Sequence, residues 1–230
     1  RHFDDRLGLS EDEMQLRKNT PPVPTPAIEH LLADKQEHLV PRTDDGNPFG
    51  DNPYDFKMDV PNHAFNLGEI SNLCIARGTL TDEDRFKIND HIVQTINMLK
   101  KLPFPKELKR VPEWAGNHHE KLDGTGYPRR LNADDLSIPE RIMGIADIFE
   151  ALTAADRPYK KAKTLSDSVR ILSFMRNDGH ICPDLFDLFL TSGIYRKYAE
   201  EHLRPEQIDD VDISQFVRKP ENNNPQHQES

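Results

Sequence analysis

The stretch HHEKLDGTGYP, residues 118–128, packs two adjacent histidines, two carboxylates and a Gly-Tyr-Pro turn into one short run. Gly124, Gly126 and Pro128 stop any helix that reaches His118, since glycine admits backbone angles that a side chain hinders and proline lacks an amide hydrogen. Adjacent helical residues point ~100° apart, so His118 and His119 cannot present parallel rings. They can instead reach toward two metal ions lying side by side, one imidazole each. A helix that closes on such a pair and then turns sharply reads as the edge of a site, and the chain around it has to be helical.

Helical periodicity extends on both sides. Thr81 is a good N-cap ahead of Asp82, Glu83 and Asp84, and Phe86, Ile88, Ile92, Ile96, Leu99 and Leu102 follow until Pro103. A further helix is predicted from about Pro105 to the double histidine. Earlier, Phe65, Ile70, Leu73, Cys74 and Ile75 predict a helix that starts near residue 63 and ends at Arg77-Gly78. Downstream, Ser137 and Pro139 open IPERIMGIADIFEALTA, where Ile142, Ile145, Ile148, Phe149 and Leu152 cover more than one face, predicting a mostly buried helix. SDSVRILSFM and PDLFDLFLTSGIYRKYAEEHL supply two or three more. No strand pattern competes, so the predicted class is all-α, with a helical domain over 63–218.

Residues 1–62 differ. NTPPVPTP (19–26) and PRTDDGNPFGDNP (41–53) have turn compositions, with one short amphipathic helix predicted between them at 27–39. They read as a loop-rich extension or insertion over the helical body, and KPENNNPQHQES (219–230) as a polar tail.

Composition limits the function classes. Of 230 residues only 35 % are hydrophobic, so part of the chain is expected outside any packed core. The net charge is −10 without a clustered basic tract, which argues against DNA or RNA as a partner, because phosphate neutralisation needs Lys and Arg. Cys74 and Cys182 form neither a disulfide framework nor a C-x-x-C spacing, so buried free thiols and a cytoplasmic setting are expected. No apolar run approaches the ~20 residues of a membrane span.

The ionisable residues at helical positions carry the chemistry. His91 lies mid-helix, His118 and His119 at a helix end, and Asp147 between Ile145, Ala146, Ile148 and Phe149, where an unpaired carboxylate would be costly. Histidine with aspartate suits divalent Fe, Mn, Ni or Zn, and a carboxylate between histidines from different helices can build a dinuclear hydrolytic site. Each also has a plain reading: His91 as a polar helix residue, the histidine pair as a C-terminal cap, Asp147 paired with Arg141 or Arg157. The conjunction on successive helices favours the metal.

HHEKLDGTGYP resembles the HHE-x-x-DG-x-GYP signature of the HD-GYP family, a branch of the HD phosphohydrolases. RIMGIADIFEAL (141–152), DRPYK (156–160) and LTDEDRFKINDHI (80–92) resemble its other motifs in order, so the resemblance spans about residues 79–190. It implies an HD-type helical fold with two or three divalent metal ions, Fe or Mn favoured over Zn and Ni. It also implies metal-assisted cleavage of a cyclic dinucleotide, cyclic di-GMP favoured. Position by position, His91, His118, His119 and Asp147 are similar to metal ligands. Tyr127, Arg157 and Lys160 match residues that face substrate phosphates, the two cations also assisting catalysis. Glu120 and Asp123 are expected to tie the loop to the helix rather than to react.

The family's His-Asp dyad does not occur in this chain. At the common spacing before His91 stand Asn62 and His63. Two readings stay open. In one the dyad lies upstream of Arg1, in an HD-bearing or sensory segment of a longer protein, as the non-Met start suggests. In the other Asn62 and His63 replace it and the domain is degenerate, binding a nucleotide or docking a partner without catalysis. A homodimer also stays open.

Overall fold

The computed structural model describes residues 10–19, 28, 30, 32–44, 46–76, 78–155 and 162–218. The chain divides into two compact units, Arg1–Gln94 and Thr95–Ser230. The first holds α1 (Glu11–Leu16), the strands β1 (Leu39–Pro41) and β2 (His63–Asn66), α2 (Glu69–Leu73) and most of α3 (Asp82–Leu99). The second holds the end of α3, then α4 (Val111–Gly116), α5 (Ile138–Thr153), α6 (Leu165–Asn177), α7 (Pro183–Thr191) and α8 (Ile194–His202). The all-α class holds, with one small two-stranded sheet among the described residues.

That sheet corrects the helix expected from residue 63. β1 and β2 run antiparallel, with Leu39 opposite Asn66, Val40 opposite Phe65 and Pro41 opposite His63. The Asn66 side chain then accepts the Gly68 N–H at 2.9 Å, a local turn that ends the strand. Only after it does α2 begin, capped from far away: the Asp34 carboxylate accepts from Ile70 N–H at 3.0 Å and Ser71 N–H at 3.1 Å. These bonds, that of the Ser71 hydroxyl foremost, hold the Asp34 carboxyl below its usual range. The helix predicted over 27–39 is also absent among the described residues, which form a single 3-10 turn, Gln36–His38, leading into β1. Phe86 on α3 meets Phe49, ring centroids 6.1 Å apart, and Phe49 meets Phe56 at 5.5 Å, giving this unit its aromatic core.

In the second unit, Leu165, Val169 and Leu172 place one fully buried stripe of α6 against Ile145 and Phe149 of α5 and Phe186 and Leu190 of α7. Burying each large side chain contributes about 1.5–3 kcal/mol. α5 is not the mostly buried helix that its sequence predicts. Ile138 is 62 % exposed and Ile142 49 %, because only the Ile145–Phe149 side turns toward this core. Beyond α8, the Gln207 amide donates to Thr153 O at 2.8 Å and Lys163 O at 3.0 Å, joining the end of α5 to the start of α6. Cys182 is buried as expected, but Cys74 is exposed; both are free thiols. Among the described residues no helix is long and apolar enough to cross a membrane.

Candidate metal centre

α4 starts at Val111 rather than near Pro105, after a 3-10 turn at Lys106–Leu108, and it stops at Gly116, two residues short of the double histidine that the sequence predicts as its end. Asn117 is its C-cap, its N–H donating to Glu113 O at 3.0 Å, so His118 and His119 lie just past the helix rather than in its last turn. Gly116 permits this ending. Ile96 of α3 packs against it so closely that any Cβ there would meet Ile96 Cδ1 at 2.6 Å.

The two imidazoles sit with ring centroids 4.1 Å apart and planes tilted by 44°, neither parallel nor opposed. His118 Nδ1 lies 2.7 Å from Ala115 O. A carbonyl only accepts, so Nδ1 carries the proton and the lone pair falls on Nε2. A backbone carbonyl that fixes the tautomer in this way is the usual support of a metal-binding histidine. On α3, in the first unit, His91 repeats the device: its Nδ1 lies 2.6 Å from Ile88 O, which again leaves Nε2 as the lone-pair nitrogen.

The loop after the histidines is built to hold one shape. Glu120, 6 % exposed, accepts the backbone N–H of Arg129 at 2.6 Å and of Leu131 at 2.9 Å. Burial still raises its carboxyl above the ordinary value, the two hydrogen bonds opposing the shift without cancelling it. Asp123 accepts from Thr125 N–H at 2.8 Å and from its hydroxyl at 2.7 Å, and the Thr125 bonds hold the Asp123 carboxyl low. Both residues therefore tie the loop. Gly126 passes so close that a Cβ would lie 2.5 Å from Glu120 Cα. The result brings Tyr127 back over the histidines: its ring stacks on His119, centroids 4.8 Å apart and planes within 25°, and its N–H donates to His119 O at 3.3 Å.

α5 supplies the other wall. Gly144 lets the His118 carbonyl approach to 3.1 Å from where a Cβ would stand. Asp147, one turn on, raises the Tyr127 phenol further after burial, to about 12 in all. Asp147 is exposed, which corrects the buried setting expected from its apolar neighbours in sequence. A cavity of about 20 Å³, space for one water, is lined by Asn117, His118, Glu140, Gly144, Ile148 and His180, among others.

The second unit thus carries His118, His119 and Tyr127 on one loop and Asp147 on α5, close enough to act on the Tyr127 phenol, while His91 lies on α3 within the first unit. Arg157 and Lys160 lie outside the described residues. His63 opens β2, half-buried opposite Pro41. Asn117 and Glu140, both buried, are polar neighbours of the histidines that the sequence reading passes over. The Ser-x-x-Glu spacing of Ser137 and Glu140 is the signal that marks Glu140.

His118 with its fixed tautomer, its neighbour His119 and the exposed carboxylate of Asp147 are donor types that suit a divalent transition metal. A helical protein with such a histidine-rich turn belongs to the broad class of α-helical metal-site proteins. The HD domain family model matches residues 26–185, and the chain belongs to this family, in its HD-GYP branch. The chain is 45 % identical over 83 residues to the 3'3'-cGAMP-specific phosphodiesterase 1 of Vibrio cholerae, covering 36 % of this chain and 19 % of that protein. It is 38 % identical over 119 residues to a cyclic di-GMP phosphodiesterase of Pseudomonas aeruginosa, covering 51 % of this chain and 28 % of that protein. To a cyclic di-GMP phosphodiesterase of Thermotoga maritima it is 29 % identical over 140 residues, covering 59 % of this chain and 37 % of that protein. The chain therefore spans less than two fifths of the length of each of these relatives.

Proposed function

We propose that this chain forms part of a metal-dependent phosphodiesterase that hydrolyses a cyclic dinucleotide. The observation that carries the reading is the His118–His119–Tyr127 stack beside Asp147, in a family whose similar members are named for cyclic di-GMP or 3'3'-cGAMP cleavage. His118, His119, Asp147 and, from α3, His91 would hold the ions, His118 and His91 through the Nε2 lone pairs that their Nδ1 hydrogen bonds leave free. Two or three ions, Fe or Mn ahead of Zn or Ni, follow from the family resemblance. Bound there, such ions supply Lewis-acid polarisation of the phosphoryl group and an activated water.

The chain's own residues would do the rest. Tyr127, with its phenol pushed up to about 12, stays protonated at neutral pH and can donate its O–H to a phosphoryl oxygen. Its ring, stacked on His119, holds that imidazole in place. Arg157 and Lys160, carried over from the family's downstream motif, would neutralise the phosphates and assist their cleavage. A helical domain over 63–218 with a loop-rich 1–62 segment remains our domain reading, with a cytoplasmic setting, where such a substrate would be met.

A second reading has one observation in its favour, the lack of a His-Asp dipeptide in this chain. It makes the chain a module that binds the nucleotide without cleaving it.

The test begins with metal content in the purified chain and in His118→Ala and His119→Ala variants. Near-stoichiometric Fe or Mn, lost in both variants, is the expected result; metal unchanged in both sinks the ligand assignment. Hydrolysis of cyclic di-GMP and 3'3'-cGAMP by the protein as it occurs in the cell then separates the two readings. Nucleotide binding that survives Arg157→Ala with Lys160→Ala argues against these two residues as the phosphate-facing cations.

A further inference from the structure

Glu140 is 3 % exposed and sits in the first turn of α5, two turns before Asp147. One carboxylate oxygen accepts from the Ser137 N–H and hydroxyl, each at 2.6 Å. The other accepts from Asn117 Nδ2 at 2.7 Å, a buried hydrogen bond across 23 residues of chain. The bond from the Ser137 N–H is the reach-back half of an ordinary capping box. The bond from Asn117 is not needed to cap α5 at all. It fastens the helix to Asn117, the residue on which α4 ends and after which His118 and His119 leave it.

Helical spacing extends the point. Glu140, Gly144 and Asp147 stand at i, i+4 and i+7 on α5, so they share one face. Along that face Glu140 holds Asn117, Gly144 clears room for the His118 carbonyl, and Asp147 reaches the field of Tyr127, which stacks on His119. A shift of α5 against the 117–119 segment would move Asp147 relative to both imidazoles at once. The Asn117–Glu140 bond is the buried side-chain bond that opposes such a shift.

We infer that Glu140 is a positioning residue of the metal centre: through Asn117 it sets the histidine pair in register with Asp147. This rests on the metal-site reading above. Outer residues of this kind typically alter metal affinity by 10–100-fold when removed.

The experiment is Mn²⁺ titration of this chain, with free Mn²⁺ read by its electron paramagnetic resonance, at a temperature where circular dichroism shows each variant folded. Glu140→Ala should weaken Mn²⁺ binding by about 10–100-fold. Glu140→Gln keeps an oxygen facing Asn117 Nδ2 and should restore most of the affinity. Gln207→Ala, which cuts buried bonds at the other end of α5, should lower stability while leaving Mn²⁺ affinity alone. Should Glu140→Ala fail to fold, Asn117→Asp sets a second carboxylate against Glu140 at unchanged volume, and must weaken binding likewise. Wild-type affinity in folded Glu140→Ala, or in Asn117→Asp, overturns the inference while the ligand assignment stands. Wild-type chain that takes no Mn²⁺, or takes it equally with His118→Ala, removes the ligand assignment and the inference with it.

Discussion

Replacing Glu120 by alanine should unfold the GYP loop more readily than any exposed substitution nearby. The carboxylate is 6 % exposed and accepts two backbone N–H groups, Arg129 at 2.6 Å and Leu131 at 2.9 Å. Alanine leaves both donors without that acceptor, and an unsatisfied buried donor costs about 1–3 kcal/mol. With water entering to satisfy one of them, the loss should be about 2–4 kcal/mol, or a fall in Tm of about 5–15 °C at this chain length. Glu120→Gln offers one oxygen where two were used and should lose roughly half as much. The charge adds a pH signature. Burial raises the native pKa above the unfolded 4.5, so as pH rises past 4.5 the unfolded chain releases its proton first. Stability from this group therefore falls with rising pH until the native pKa is passed, and Glu120→Gln should not show that fall. Urea denaturation of the three proteins across that pH range measures both effects. A Glu120→Ala loss under about 0.5 kcal/mol, the range of ordinary surface changes, would refute the reasoning.

Gly126→Ala forces a methyl group against the Glu120 backbone at 2.5 Å, an overpacking that should cost about 1–3 kcal/mol in urea unfolding and disturb the Tyr127–His119 stack, visible in the His119 ring resonances. His180, lowered by burial first, resists protonation in the native state, so stability should decline as pH drops below 6.5 and the unfolded chain takes up the proton; His180→Gln should flatten that decline in thermal melts. Gln207→Ala removes the donor to Thr153 O and Lys163 O and should cost about 1–3 kcal/mol, read by chemical denaturation.

The helical class, the Thr81 cap and the Ser137 start were all legible, because caps are local chemistry written within four residues: Thr81 and Asp84 exchange bonds of 3.1 and 3.2 Å as their spacing requires. So was the bracing role of Glu120 and Asp123, since turn formers left no helix for those carboxylates to serve. The 63–75 segment departs from the single helix that its apolar spacing predicts, because its conformation follows from long-range partners. Val40 pairs with Phe65, and Asp34 caps α2 from 36 residues away. Neither partner lies inside a window that periodicity can examine.

Asp147 shows the same limit from the opposite side. Ile145, Ala146, Ile148 and Phe149 flank it in sequence, but on a helix those positions point elsewhere; the residues that share its face lie three, four and seven away. Counting back gives Gly144, Met143 and Glu140. Of these, one has no side chain, one is exposed, and one is a buried carboxylate bound to Asn117. The apolar flank thus measures how α5 packs into its own core, and the exposure of Asp147 measures which face it leaves over. A carboxylate on that face needs no buried partner to persist, so it stays accessible to the metal ion we propose, and its placement depends on what fixes the rest of the face. In this chain that is the bond from Glu140 to the residue before the histidines.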